Sequence, residues 1–223
     1  MENTRESDAV AAYLKLLRSK GGDDASVRQR DVFFEQFIPF LVGKSCDGYE
    51  YRMAVETLME NQAASFWPPN LVIAREFFPF WIGDFKAISH LTSEIGFDFH
   101  PVDWMPLEVS LSEMWTNIDQ EKFSTAESWA IKAYEKALDR EHAPLEVIDV
   151  RLKFAKILVV RLRDAPVTQK NAFRIAVDAT VPLFELKKTR QLFLVVVREF
   201  YNFWSGNPDA QEHVLKVSKV SIL

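Results

Sequence analysis

Glycine is scarce: only seven of the 223 residues are Gly, and none lies between Gly96 and Gly206. β-Hairpins and phosphate-cradling loops depend on glycine, whereas helix interiors avoid it. That glycine-free stretch, rich in Ala, Leu, Glu, Lys and Arg, predicts long helices joined by short polar or proline-marked turns. Nowhere does a pair of alternating apolar segments flank a hairpin turn. Cysteine is almost absent. Cys46, alone, excludes an intrachain disulfide and any cysteine-cluster zinc or iron–sulfur site. No apolar run approaches the roughly 18 residues a membrane span needs, and the polar opening segment lacks the apolar core of a secretory signal. The expected location is the cytoplasm.

Common chemical fingerprints are missing too. The chain has no G-x-G-x-x-G, no G-x-x-x-x-G-K-[ST], no H-E-x-x-H and no G-x-S-x-G. A Rossmann site, a P-loop, a zincin site and a nucleophile elbow are thereby disfavoured, and no cofactor is expected.

What is present is bulk and charge. Hydrophobic residues make up 48% and charged residues 26%, a globular composition, with 18 Phe and 6 Trp that need a thick core, a groove or a partner to cover them. The net charge of −5 is uneven. Residues 1–150 carry 14 Lys and Arg against 26 Asp and Glu, and residues 151–223 carry 13 against 6. Two mutually attracting halves, or simply solvated helical surfaces, explain this; a basic face for an acidic partner is the sharper alternative.

Apolar spacing, caps and breakers predict about nine or ten helices, an all-α fold arranged as an irregular bundle or a short α-solenoid of helical hairpins. The expected helices cover about 5–19, 27–42, 49–65, 70–82, 84–95, 110–118, 125–140, 144–163, a stretch from 168 interrupted by Pro182, and 192–204. Residues 96–110, with Pro101 and Pro106, read as a packed loop. A single domain 1–223 is expected, with a possible subdivision into 1–100 and 110–223 about that loop.

One internal echo stands out. Phe37-Ile38-Pro39-Phe40-Leu41-Val42-Gly43 is matched forty residues on by Phe77-Phe78-Pro79-Phe80-Trp81-Ile82-Gly83. In the first copy Pro39 ends a helix, Asp47 occupies the turn, and Arg52 and Ala54 sit in the next helix. Residues 31–95 thus resemble a HEAT-type helical repeat, although the second copy lacks a clear arginine–alanine pair. The resemblance implies an α-solenoid that offers a concave surface to a partner.

Candidate sites follow from residue chemistry. His90 and Glu94 are four apart, hence on one helical face, and His100 and Asp103 follow in the loop. Imidazole and carboxylate suit Zn, Mn or Fe, and general acid–base work. The aromatic set Phe37, Phe40, Phe77, Phe80 and Trp81 reads first as core; the functional alternative is a partner-binding groove. Cys46 reads as structural. His142 and His213 fit helix-end or surface roles. The basic residues Arg151, Lys153, Arg161, Arg163, Lys170, Arg174, Lys187, Lys188 and Arg190 would serve nucleic acid if they shared one exposed face, although the acidic overall balance disfavours it.

The leading expectation is a non-enzymatic protein-binding helical protein of adaptor, inhibitor or immunity type. A metal-dependent or acid–base enzyme centred on His90, Glu94, His100 and Asp103 stands second. A nucleic-acid-binding helical repeat stands third.

Overall fold

The computed structural model describes residues 4–90, 104–165 and 171–214. Among these residues the fold is all-α, with ten α-helices and no strand. The chain separates into two compact units, residues 1–103 and 104–223, so the division falls inside the aromatic, proline-marked segment.

The first unit is built from α1 (Arg5–Ser19), α2 (Asp24–Phe37), α3 (Gly48–Glu60), α4 (Trp67–Ile82) and the short α5 (Phe85–His90). Thr4 caps α1 in a reciprocal box with Ser7, and the Asp23 and Asp47 side chains cap α2 and α3. The expected 27–42 helix stops at Phe37. Pro39 cannot continue the i→i−4 ladder, so residues Ile38–Phe40 tighten into a 3-10 turn. α1 packs on α2 and α4, and α2 packs on α3 and α4. Their shared core is an aromatic lattice. The Tyr13 ring meets Phe34, Phe77 and Phe80 edge to face, with centroids 5.3, 6.0 and 5.3 Å away.

The second unit holds α6 (Leu111–Asn117), α7 (Thr125–Arg140), α8 (Leu145–Arg161), α9 (Ala172–Thr180) and α10 (Lys187–Trp204). Ser124 and Glu127 form a capping box at α7. Here α7, α8 and α10 pack against one another, and α9 packs on α8. Phe154, Phe193, Phe200 and Tyr134 are fully or almost fully buried at the centre.

The two units are copies of one design, and this is the repeat that matters. Residues 9–43 align with 130–164 at an offset of 121: Tyr13 with Tyr134, Leu17 with Leu138, Arg30 with Arg151, Phe33 with Phe154. Tyr51-Arg52-Met53-Ala54-Val55-Glu56 aligns with Phe173-Arg174-Ile175-Ala176-Val177-Asp178 at 122. Arg75-Glu76-Phe77-Phe78-Pro79-Phe80-Trp81-Ile82-Gly83 aligns with Arg198-Glu199-Phe200-Tyr201-Asn202-Phe203-Trp204-Ser205-Gly206 at 123. Helices α1 to α4 thus correspond to α7 to α10. The forty-residue echo is an echo of helix ends inside one unit, since the counterpart of Phe77–Gly83 is Phe200–Gly206. The arginine–alanine pair of the HEAT-type resemblance likewise recurs as Arg174 and Ala176 in the second unit, not forty residues on.

Backbone geometry matches at one helix stop even where the side chains differ. After α1 the Gly21 amide donates to Arg18 and the Gly22 amide to Leu17, at 3.1 and 3.0 Å; after α7 His142 donates to Asp139 and Ala143 to Leu138, at 2.9 and 3.2 Å. These are the paired bonds of a left-handed helix stop. Gly21 has φ +98° and His142 φ +55°. Histidine adopts that conformation at a steric cost that glycine avoids. His142→Gly is expected to add about 1 kcal/mol of stability, read as a melting temperature a few degrees higher.

Candidate functional site

At equivalent places each unit buries a tyrosine, an arginine and a glutamate that bond to one another. In the first, the Tyr13 hydroxyl donates to Glu76 Oε2 (2.6 Å), Arg30 Nε donates to the Tyr13 oxygen (2.7 Å), and Arg30 Nη2 meets Glu76 Oε2 at 3.1 Å. In the second, the Tyr134 hydroxyl donates to Glu199 Oε2 (2.5 Å), and Arg151 Nη1 reaches both Glu199 oxygens at 2.9 and 3.1 Å. Arg151 and Glu199 are each 1% exposed. The helices explain the placement: α1 or α7 carries the tyrosine, α2 or α8 the arginine, α4 or α10 the glutamate. Burying such an ion pair is costly unless the remaining donors and acceptors are met, and the tyrosine meets one of them. Burial, reinforced by the adjacent carboxylate, raises both tyrosine pKa values well above the ordinary phenol range. A phenol held protonated beside a paired carboxylate is a structural clamp that joins three helices.

A further buried cation belongs to the second unit alone. Arg161 is 5% exposed and stands where the first unit has Phe40. Its guanidinium donates to the Ala179 carbonyl (3.0 Å), the Thr180 hydroxyl (3.3 Å) and the Leu107 carbonyl. Burial lowers its pKa, against the opposing pull of Glu108. These bonds tie Leu107 to α8 and α9.

The basic helix α8 spends its other charges at home. Lys153 and Lys156 bridge Asp119 at 3.3 and 2.7 Å, and Arg163, just beyond the helix, bridges Glu121 and Glu127 at 2.6 and 3.0 Å. The basic stretch and part of the acidic stretch therefore neutralise each other inside one unit. Arg190 donates to the carbonyls of Phe184 and Glu185. Arg174 is exposed, and Lys170 lies outside the described residues.

The remaining predicted residues are placed as follows. Phe37 and Phe77 are 0% exposed, Trp81 1% and Phe80 9%; all four are core of the first unit, and Phe40 is half-buried beside them. His90 closes α5, while Glu94, His100 and Asp103 lie outside the described residues. Among the described residues no three His, Cys, Asp or Glu side chains converge as metal ligands. Cys46 precedes the α3 cap and its thiol donates to the Trp81 carbonyl at 3.0 Å.

Sequence reasoning missed the twin of the core rings. Trp81 is sealed by Tyr51 (centroids 5.2 Å) and by the Arg5 guanidinium 5.1 Å above it. Its counterpart Trp204 is 44% exposed. Trp204 stacks with Phe173 (5.0 Å), which also meets Tyr201 (5.0 Å), itself 47% exposed. The result is a surface aromatic cluster flanked by the exposed Arg174 and Arg198. The detectable signal was the Phe-Trp-x-Gly recurrence at residues 80–83 and 203–206.

In the first unit the equivalent face is concave. A groove of about 330 Å³ opens between α3 and α4, floored by Tyr51, Val55, Leu71, Ala74 and Phe78 and edged by Arg52 and Arg75.

The fold and these surfaces define an all-α protein made of tandem copies of a four-helix unit. No protein family, curated protein or solved structure matches the chain. Among the described residues no helix is long and apolar enough to cross a membrane.

Proposed function

We propose that this is a non-enzymatic binding protein, of adaptor, inhibitor or immunity type, whose partner is another protein. One observation carries the reading: Phe173, Tyr201 and Trp204 form a half-exposed aromatic cluster between two exposed arginines. Tryptophan, tyrosine and arginine are the side chains that dominate binding energy at protein interfaces. Leaving a tryptophan half in water forgoes part of the roughly 1.5–3 kcal/mol its burial contributes. The first unit avoids that loss by burying Trp81, whereas a partner covering Trp204 recovers it.

Two measurements test this. In thermal melts, Trp204→Ala is expected to cost under about 1 kcal/mol and Trp81→Ala about 3–5 kcal/mol. The tagged protein, expressed in its own host and purified with and without nuclease, is expected to retain one protein at near-stoichiometric yield. Trp204→Ala should then weaken that complex about 30-fold or more, the scale of a hot-spot truncation. Retention of only a metal, a small molecule or a nuclease-sensitive species overturns the proposal.

A further inference from the structure

The α9–α10 stretch of the second unit is one-sided in charge at its surface. Residues 171–204 hold Arg174, Lys187, Lys188, Arg190 and Arg198 against three acids, Asp178, Glu185 and Glu199. Two of those acids are core, Asp178 at 4% and Glu199 at 1% exposure, which leaves Glu185 as the one exposed acid of the stretch. The field over this surface is therefore positive. Exposed rings sit within it. On α10, Tyr201 stands one helical turn from Arg198 on one side and from Trp204 on the other. Phe173 meets both rings and is followed directly by Arg174. Arg174 and Arg198 are both exposed, and among the described residues their guanidinium groups make no hydrogen bond or ion pair.

Resting on the protein-binding reading, we infer that the Phe173–Tyr201–Trp204 cluster receives an acidic segment of the partner protein. A large apolar side chain of that segment covers the Tyr201 and Trp204 rings, and carboxylates beside it reach Arg174 and Arg198. Complementarity of sign and chemistry carries this. The rings supply apolar area that gains from being covered. A basic segment meets like charge at the rim, and a neutral one dehydrates two guanidinium groups without pairing them. A carboxylate instead matches the planar guanidinium fork. Nucleic acid fits less well, because its affinity is built from many phosphate contacts. Lys153, Lys156 and Arg163, which could widen the basic surface, are already bridged to carboxylates of the same unit.

The test uses the full chain and fluorescein-labelled peptides of equal length, read by fluorescence anisotropy. One peptide flanks a central Leu-Phe with Glu and Asp, a second flanks it with Lys and Arg, a third with Ser and Gln, and a fourth is acidic with Ala in place of the anchor. The acidic, anchored peptide is expected to bind at least about fivefold tighter than each of the others, the upper scale of an exposed ion pair. Arg174→Glu combined with Arg198→Glu should reverse the preference between the acidic and basic peptides. Both sites are exposed, so the melting temperature should stay within about 3 °C of the parent. Trp204→Ala should weaken the acidic peptide about tenfold or more. Equal affinity for acidic and basic peptides overturns the inference, as does an unchanged preference in the doubly charge-reversed variant. Parental affinity in Trp204→Ala places the peptide elsewhere and overturns it too. A single-stranded oligonucleotide that displaces the acidic peptide and is itself released by salt overturns it in favour of nucleic acid. Sedimentation showing a dimer that Trp204→Ala dissociates overturns it in favour of a second copy of this chain. If every peptide fails while a co-purified protein is still lost with Trp204→Ala, the acidic-segment inference falls and the protein-binding reading stands; if no protein is retained either, both fall.

Discussion

Glu199→Ala is expected to destabilise the second unit by about 3–5 kcal/mol, because it strands Arg151 as an uncompensated charge that is 1% exposed. For a unit of this size that lowers the melting temperature by more than about 10 °C. The Tyr134 hydroxyl loses its acceptor in the same step. The diagnostic comparison is the paired replacement Arg151→Met with Glu199→Leu, which removes both charges and leaves apolar bulk. It is expected to recover most of the loss, since a buried ion pair is often no more stable than well-packed apolar side chains. Calorimetry of the three variants checks this. A paired variant no better than the single one would mean that the clamp specifies the packing of α7, α8 and α10. In the first unit Glu76→Ala strands Arg30 in the same way and should give a loss of the same order.

Stability should also fall steeply at alkaline pH, for a reason located in three hydroxyls. Burial raises the pKa values of Tyr13 and Tyr134, assisted by Glu76 and Glu199, and that of Tyr51, whose hydroxyl donates to the Ala74 carbonyl at 2.6 Å. In the unfolded chain a phenol loses its proton near pH 10. Folded pKa values above that figure mean that the native state holds protons the unfolded state releases. Their stabilisation is complete below about pH 10 and is lost progressively as the pH rises above it. Each tyrosine contributes a slope of up to about 1.4 kcal/mol per pH unit. Denaturant midpoints between pH 9 and 11 measure the slope, and Tyr134→Phe isolates the contribution of one hydroxyl. The variant should reduce the slope for the second unit by one proton; an unchanged slope means that Tyr134 is ionised in the native state.

Much of the helical layout was legible because it is local. The caps Thr4, Asp23, Asp47 and Ser124 act within three residues, and the expected helices 5–19 and 125–140 begin and end where α1 and α7 do. Local rules failed where two signals competed. The expected helix 27–42 stops at Phe37, where Pro39 forces a 3-10 turn, and α10 begins at Lys187, five residues before its apolar face starts at Leu192. The tandem design is equally present in the letters, but the forty-residue echo of helix ends stands out more strongly at the helical-hairpin period. Offsets that drift from 121 to 123 hide a repeat until the helices bearing Tyr, Arg and Glu are seen to meet.

By itself, the sequence determined helix content, the ends of the well-capped helices and the exclusion of disulfide and cysteine-cluster sites, since these follow from propensity, capping and composition. Only the tertiary structure decided which charges are core and which rings are surface. Arg30 and Arg151 look like any helical arginine until α4 and α10 bring a glutamate to each. Trp81 and Trp204 end similar segments, yet one is sealed, with a cation from another helix over its ring, and the other is half in water. Burial is a property of what packs opposite, and that information lies in another part of the chain.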